Sequence, residues 1–183
     1  MNQPLPHIDH YLAEFARLER KLAGDTALTE QRHARLRDFA KQGFPSTRQE
    51  DWKYTDFRAL EKRRFESVEE AGEVSQAQLQ KLLPEGLDCY RIVFVDGHYQ
   101  AGLSDDSSLP EGVRAASFAA QPQGSDNKDI NIDVTVNGYA NAFTDMNAAF
   151  MSDGLCLNLD AGVVLEKPIH AVFIASGQHE DSM

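Results

Sequence analysis

Apolar residues open the chain at intervals of three and four. Leu5, Ile8, Leu12, Phe15, Leu18 and Leu22 fall on one stripe, which predicts an amphipathic helix over residues 5–22 that Gly24 and Asp25 end. Thr29 is suited to cap a second helix carrying Leu36, Phe39 and Ala40 on its apolar side, with Gly43 at its stop and Pro45 just beyond. The two helices predict a hairpin. Residues 45–55 are polar and studded with aromatics and read as a loop feeding a short helix with Phe57 and Leu60. Residues 66–85 are charged and carry only Leu79, Leu82 and Leu83, which predicts a solvated helix broken by Pro84 and Gly86.

The period then changes. Residues 90–95 are β-branched and aromatic, and Asp96-Gly97 supplies the positive φ angles of a tight turn, so a strand and a turn are predicted. A second short strand is predicted at 113–118, and Ile130, Ile132, Val134 and Val136 alternate with polar residues as a half-buried strand does. Asn141 can cap a helix over 141–150 whose apolar positions are Ala142, Phe143, Met146, Ala149 and Phe150, with Asp153-Gly154 ending it. Leu155, Leu157 and Leu159 alternate, residues 160–162 turn, and two apolar runs follow at 163–165 and 169–174 around Pro168.

The pattern therefore predicts an α+β chain with a helical region over 1–86 and a strand-rich region over 87–183. Short strands at close spacing with glycine turns suit a β-solenoid or a sandwich. After Ile174 nine residues remain and none forms a cap. A stacked sheet so ended keeps an open edge, from which we expect a piece of a longer protein, with self-association through that edge available to it.

Composition narrows the function classes. Of 183 residues 42% are hydrophobic, enough for a core, and 29 Asp and Glu against 18 Lys and Arg give a net charge of −11. Such a field repels nucleic-acid phosphates and anionic lipid, so neither nucleic acid nor membrane is expected as a partner. No apolar run approaches the roughly 20 residues that span a bilayer, and residues 1–7 lack a charged then apolar leader pattern, so a cytoplasmic location is expected. Cys89 and Cys156 are far apart, flanked by apolar residues and without CxxC spacing, and read as small buried thiols within strands.

Motifs for chemistry are wanting. Gly162 and Lys167 are the nearest approach to a phosphate-binding loop, but the second glycine is missing and Pro168 follows; GxSxG, HExxH and GxGxxG do not occur. His7 and His10, three apart, suit a solvated helix end, and His170 suits a satisfied strand side chain; Asp105-Asp106 and Glu180-Asp181 suit surface loops. No residue is assigned a catalytic, cofactor-binding or metal-binding role. Arg48, Glu50, Trp52, Lys53 and Tyr54 form the densest group able to make specific contacts, and the reading taken is intramolecular, with Trp52 and Tyr54 stapling the loop onto the hairpin.

Residues 43–55, GFPSTRQEDWKYT, resemble the N-terminal signature of SufD proteins, G-x-P-x-x-R-x-E-x-W-K-Y-T after a helix. Residues 93–97 with Leu103-Ser104 agree with the same SufB/SufD family in order, as do residues 141–150 leading into Asp153-Gly154 and on through 162–170. The resemblance implies a helical N-terminal region followed by the opening strands of a right-handed parallel β-helix, incomplete over 87–183. It implies a non-enzymatic scaffold component of the SUF iron-sulfur cluster assembly system, pairing with a SufB-like subunit and, through a C-terminal region, with a SufC-like ATPase. It places no cofactor on this chain; the cluster is handled by the intact complex. Two other readings compete: a free-standing β-solenoid module binding a carbohydrate or peptide through Tyr90, Tyr99 and Tyr139, and a small hydrolase converging His170, Asp145 and Ser176.

Overall fold

Ile8, Tyr11, Phe15 and Leu18 are buried along one side of helix α1 (Ile8–Leu18), the stripe their spacing predicts. The computed structural model describes residues 8–22, 26–105, 108–120, 141–179 and 181–183, with only the backbone of 26 and 27. The expected strand around Ile130 to Val136 and the helix stop at Gly24-Asp25 lie outside the described residues. The chain divides into two units, Met1–Ser67 with Asn131–Met151 and Asp181–Met183, and Val68–Ile130 with Ser152–Glu180. The sequence boundary at residue 86 falls inside the second of these.

In the helical unit, α2 (Thr26–Gln42) starts three residues ahead of the predicted cap, so Thr29 lies within the helix. It stops where predicted: Gly43 turns to φ +64° and its amide donates to the Phe39 carbonyl at 2.8 Å, a left-handed end that glycine adopts without a Cβ penalty. Tyr11, Phe39 and Phe44 meet edge to face with ring centroids 5.5–5.7 Å apart at the core of this unit, without α1 and α2 forming the close-packed hairpin expected. The chief partner of α2, however, is α5 (Ala142–Phe150), a helix a hundred residues downstream. Ala149 packs with Phe15 and Leu36, and the buried Asp145 carboxylate accepts from Gln42 Nε2 at 2.6 Å and from Arg35 at 3.3 Å. Asn141 caps α5 as predicted, in a reciprocal box with Thr144. Trp52 lies in a 3₁₀ turn (Glu50–Trp52), and Arg58–Glu61 form the single helical turn α3. Glu66 pairs with Ser182 in an isolated parallel bridge.

In the strand unit, only Gln76–Leu82 (α4) of the predicted 66–85 helix is helical, started by a Ser75–Gln78 capping box. Its Leu79 is wholly buried and packs against Val93 and Val95, where the sequence suggested a solvated element. Strand β1 (Tyr90–Val95) turns at Asp96 and Gly97, φ +47° and +83°, into β2 (His98–Tyr99), the mirror-image turn a two-residue hairpin favours. Strand β3 (Val113–Ser117) pairs antiparallel with β4 (Leu155–Leu159), and β5 (Ile169–Ile174) pairs parallel with β1, Tyr90 opposite Ile169 through Val95 opposite Ile174. The strand order is β2-β1-β5 in one sheet and β3-β4 in the other. The apolar run at 163–165 forms no strand, and the backbone there leads from the Gly162 turn into β5. The architecture is α+β with two small sheets.

Charge divides with the units. The helical unit's residues hold 13 Lys and Arg against 14 Asp and Glu, whereas the strand unit's hold 5 against 15, so nearly all of the chain's net charge resides in the latter.

Candidate interaction site around Trp52

Residues 43–55 leave α2 through the Gly43 turn, and Phe44 and Pro45 then tuck inward. Four backbone hydrogen bonds, Gln49 to Ser46, Trp52 to Gln49, Lys53 to Glu50 and Thr55 to Trp52, all 2.9–3.3 Å, wind the following residues into a self-bonded knuckle. The Trp52 ring meets Phe57 at 5.1 Å and Phe143 at 5.7 Å, with Phe57 and Phe143 themselves 4.9 Å apart. Trp52 is therefore stapled as expected, but onto Phe57 and the α5 residue Phe143. Tyr54 corrects the sequence reading: it is 92% exposed, and the Lys53 ammonium lies over it, 5.6 Å from its ring centroid.

Two open clefts flank Pro45. One of 410 Å³ is lined by Phe44, Ser46, Thr47, Arg48, Asp56 and Arg58 among others, and one of 250 Å³ by Gln49, Asp51, Trp52, Asn141 and Ala142 among others. In the first, Arg58 grips Asp56 with a fork of contacts at 2.6–3.0 Å, which holds that carboxyl's pKa down at about 2. Arg48 has no such carboxylate among the described residues.

Two carboxylates organise the strand unit. Asp153 accepts from Tyr99 N at 3.0 Å, Ser117 Oγ at 2.7 Å, Ala119 N at 3.0 Å and Gly154 N at 2.7 Å. Asp96 accepts from Gly72 N at 2.9 Å and Ser176 N at 2.8 Å, with His179 Nε2 at 3.8 Å. Burial works to raise both carboxyls; the hydrogen bonds outweigh it, with His179 assisting at Asp96, and hold both below the ordinary carboxylate value. Gly72 approaches so closely that a Cβ there would run into the Ser176 side chain. Sequence reasoning read Asp96 and Asp153 only as turn and helix-end residues; an Asp beside Gly gives no sign of the distant amides it will collect.

The remaining candidates are occupied structurally. His10 Nε2 lies 2.8 Å from the Phe65 carbonyl, His98 Nε2 3.1 Å from Val68 O, and His33 Nε2 2.6 Å from Glu19. Asp105 pairs with Arg91 at 2.7 Å, Lys167 with Asp88 at 2.7 Å, and Asp181 with Arg63. His170 sits at the start of β5 and Ser176 beyond its end, while Asp145 is held by Gln42 and Arg35. Both thiols are free and half-buried; Cys156 is in β4 as predicted, but Cys89 precedes β1. Burial, aided by the Asp153 charge, pushes the Cys156 thiol up. Tyr90 and Tyr99 are half-buried, Tyr99 tilted against Phe94 at 5.8 Å; Tyr139, His7, Asp106 and Glu180 lie outside the described residues. Among the described residues no three His, Cys, Asp or Glu side chains converge in a way that could hold a metal ion, and no helix is long and apolar enough to cross a membrane.

A helical unit and a strand unit with two small sheets define an α+β protein whose aromatic signature lies on the helical side. Residues 1–171 match the family described as the SufBD protein N-terminal region, and the chain belongs to that family. It is 39% identical over 83 residues to an iron-sulfur cluster assembly protein SufD of Escherichia coli, a stretch that is 45% of this chain and 19% of that protein. It is 28% identical over 133 residues to an iron-sulfur cluster assembly SufBD family protein of Synechocystis sp., 71% of this chain and 28% of the relative. The matches thus span less than a third of either relative's length.

Proposed function

We propose that this chain is the N-terminal part of a SufD-like scaffold subunit for iron-sulfur cluster assembly, without enzymatic activity of its own. The carrying observation is the family match over residues 1–171, joined by the likeness to a SufD protein. In this reading the full-length protein pairs with a SufB-like subunit and a SufC-like ATPase in the cytoplasm, and the nascent cluster is cargo of that complex. The strand region then opens a right-handed parallel β-helix. The parallel pairing of β1 with β5, and the place of β5 at the edge of its sheet, support that extension. Neither the carbohydrate- or peptide-binding solenoid nor the hydrolase gains support: Tyr90 and Tyr99 form no exposed aromatic platform, and Asp145 is engaged by Arg35 and Gln42.

The test uses the full-length product tagged in its source cell. Co-elution with a SufB-like and a SufC-like protein, together with loss of iron-sulfur enzyme activities on deletion of the gene, is the expected result. Elution alone combined with intact iron-sulfur enzymes in the deletion strain overturns the proposal.

A further inference from the structure

The larger cleft beside Pro45 is lined by Arg48 and Arg58 together with Asp56 and Glu61, and the smaller by Asp51 as its charged residue. Phe44 and Pro45 give the larger an apolar floor, Ser46 and Thr47 add hydroxyls, and Arg48 is its cation without a carboxylate partner among the described residues, since Arg58 is held by Asp56. The smaller presents the Trp52 ring and the Asp51 carboxylate, which has no cationic partner among the described residues. Pro45 lines both. A guanidinium over an apolar floor accepts a carboxylate in a forked pair, and a carboxylate beside an indole accepts an ammonium or guanidinium.

We infer that residues 43–55 form a docking site for an extended segment of a partner protein carrying one acidic and one basic residue, the acid seated at Arg48 and the base at Asp51 and Trp52. The knuckle's own hydrogen bonds fix its backbone before binding. Tyr54, 92% exposed beneath Lys53, adds an aromatic of the kind that anchors interfaces. Within residues 43–55 Glu50 and Asp51 balance Arg48 and Lys53, which favours a peptide with both signs.

Trp52 is the chain's single tryptophan, so its emission reports on the site directly. The experiment titrates the full chain with acetylated, amidated decapeptides bearing one Glu and one Lys separated by one to six neutral residues, read by Trp52 emission and by calorimetry. Saturable binding confined to a narrow range of spacings is expected. Arg48→Ala should weaken it about tenfold or more, the worth of a charge-assisted hydrogen bond, and should have no effect on a peptide whose Glu is replaced by Gln. Asp51→Asn should behave likewise toward the peptide Lys. Silence at every spacing up to millimolar peptide, equal affinity in Arg48→Ala, or preferential binding of single-stranded RNA or anionic vesicles that Asp51→Asn strengthens would overturn the inference. The assembly role is tested separately on the full-length protein's co-purification, so either reading can fail alone.

Discussion

Rings make up most of the helical unit's core, beside the buried Asp145 and Glu14 carboxylates, whereas in the strand unit carboxylates tie the loops. Tyr11, Phe39 and Phe44 interlock at the centre of the first, with Phe15 and Phe150 extending the same edge-to-face packing. The second has a smaller apolar cluster, Leu79 with Val93 and Val95, and ties its loops through Asp96 and Asp153 instead. Apolar packing is non-directional and tolerant of pH. A carboxylate that collects several amides is directional and depends on staying ionised. The two units should therefore fail under different insults.

Removing a ring should produce the largest effect. Phe39 is fully buried among aromatic neighbours, and Phe39→Ala is expected to cost about 4 kcal/mol. Urea unfolding followed by Trp52 emission reads this change, because the indole lies in the same unit. Next comes Asp153→Ala, which strands three backbone amides and the Ser117 hydroxyl; a loss of about 3 kcal/mol is expected. Hydrogen exchange at Tyr99 and Ala119 should rise while the Trp52 transition moves less.

Acid offers a gentler separation. Asp96 and Asp153 titrate lower folded than unfolded, so their contribution is fully present above the unfolded carboxylate value of about 3.9 and is lost as pH falls through their folded values below it. Circular dichroism of Asp153→Asn should show a flatter dependence on pH across that window than the parent chain. The smallest effect belongs to Phe173→Ala. That ring stacks on Phe94 at 5.0 Å yet is 68% exposed, and its loss should cost less than about 1 kcal/mol by urea titration.

What the sequence made legible follows the same division between local and distant causes. The α1 stripe, the Gly43 stop, the Asp96-Gly97 turn and the Asn141 cap are settled by residues within a turn of each other, and each was predicted. The packing of α5 on α2, the burial of Leu79, and the amides gathered by Asp96 and Asp153 depend on residues brought from far along the chain, where periodicity carries no information. Propensity also misled where tertiary context prevailed: residues 66–75 look helical but form no helix, and Gly72 there gives up a Cβ to reach the β1–β2 turn. At the candidate site the aromatics were visible in sequence, but the division into a stapled Trp52 and an exposed Tyr54 required the positions of Phe57 and Phe143.

The uneven division of charge has a colloidal consequence. With 15 acidic residues against 5 basic, the strand unit repels a second copy of itself, and β5 at its sheet edge with Phe173 and Val164 in water is the part that most needs such a guard. That guard is made of ions' mutual visibility and not of shape: at about 1 M salt, where charges see each other over only about 3 Å, two edges meet as neutral surfaces would. Association through this edge is therefore expected to rise with salt, which light scattering over a salt series checks.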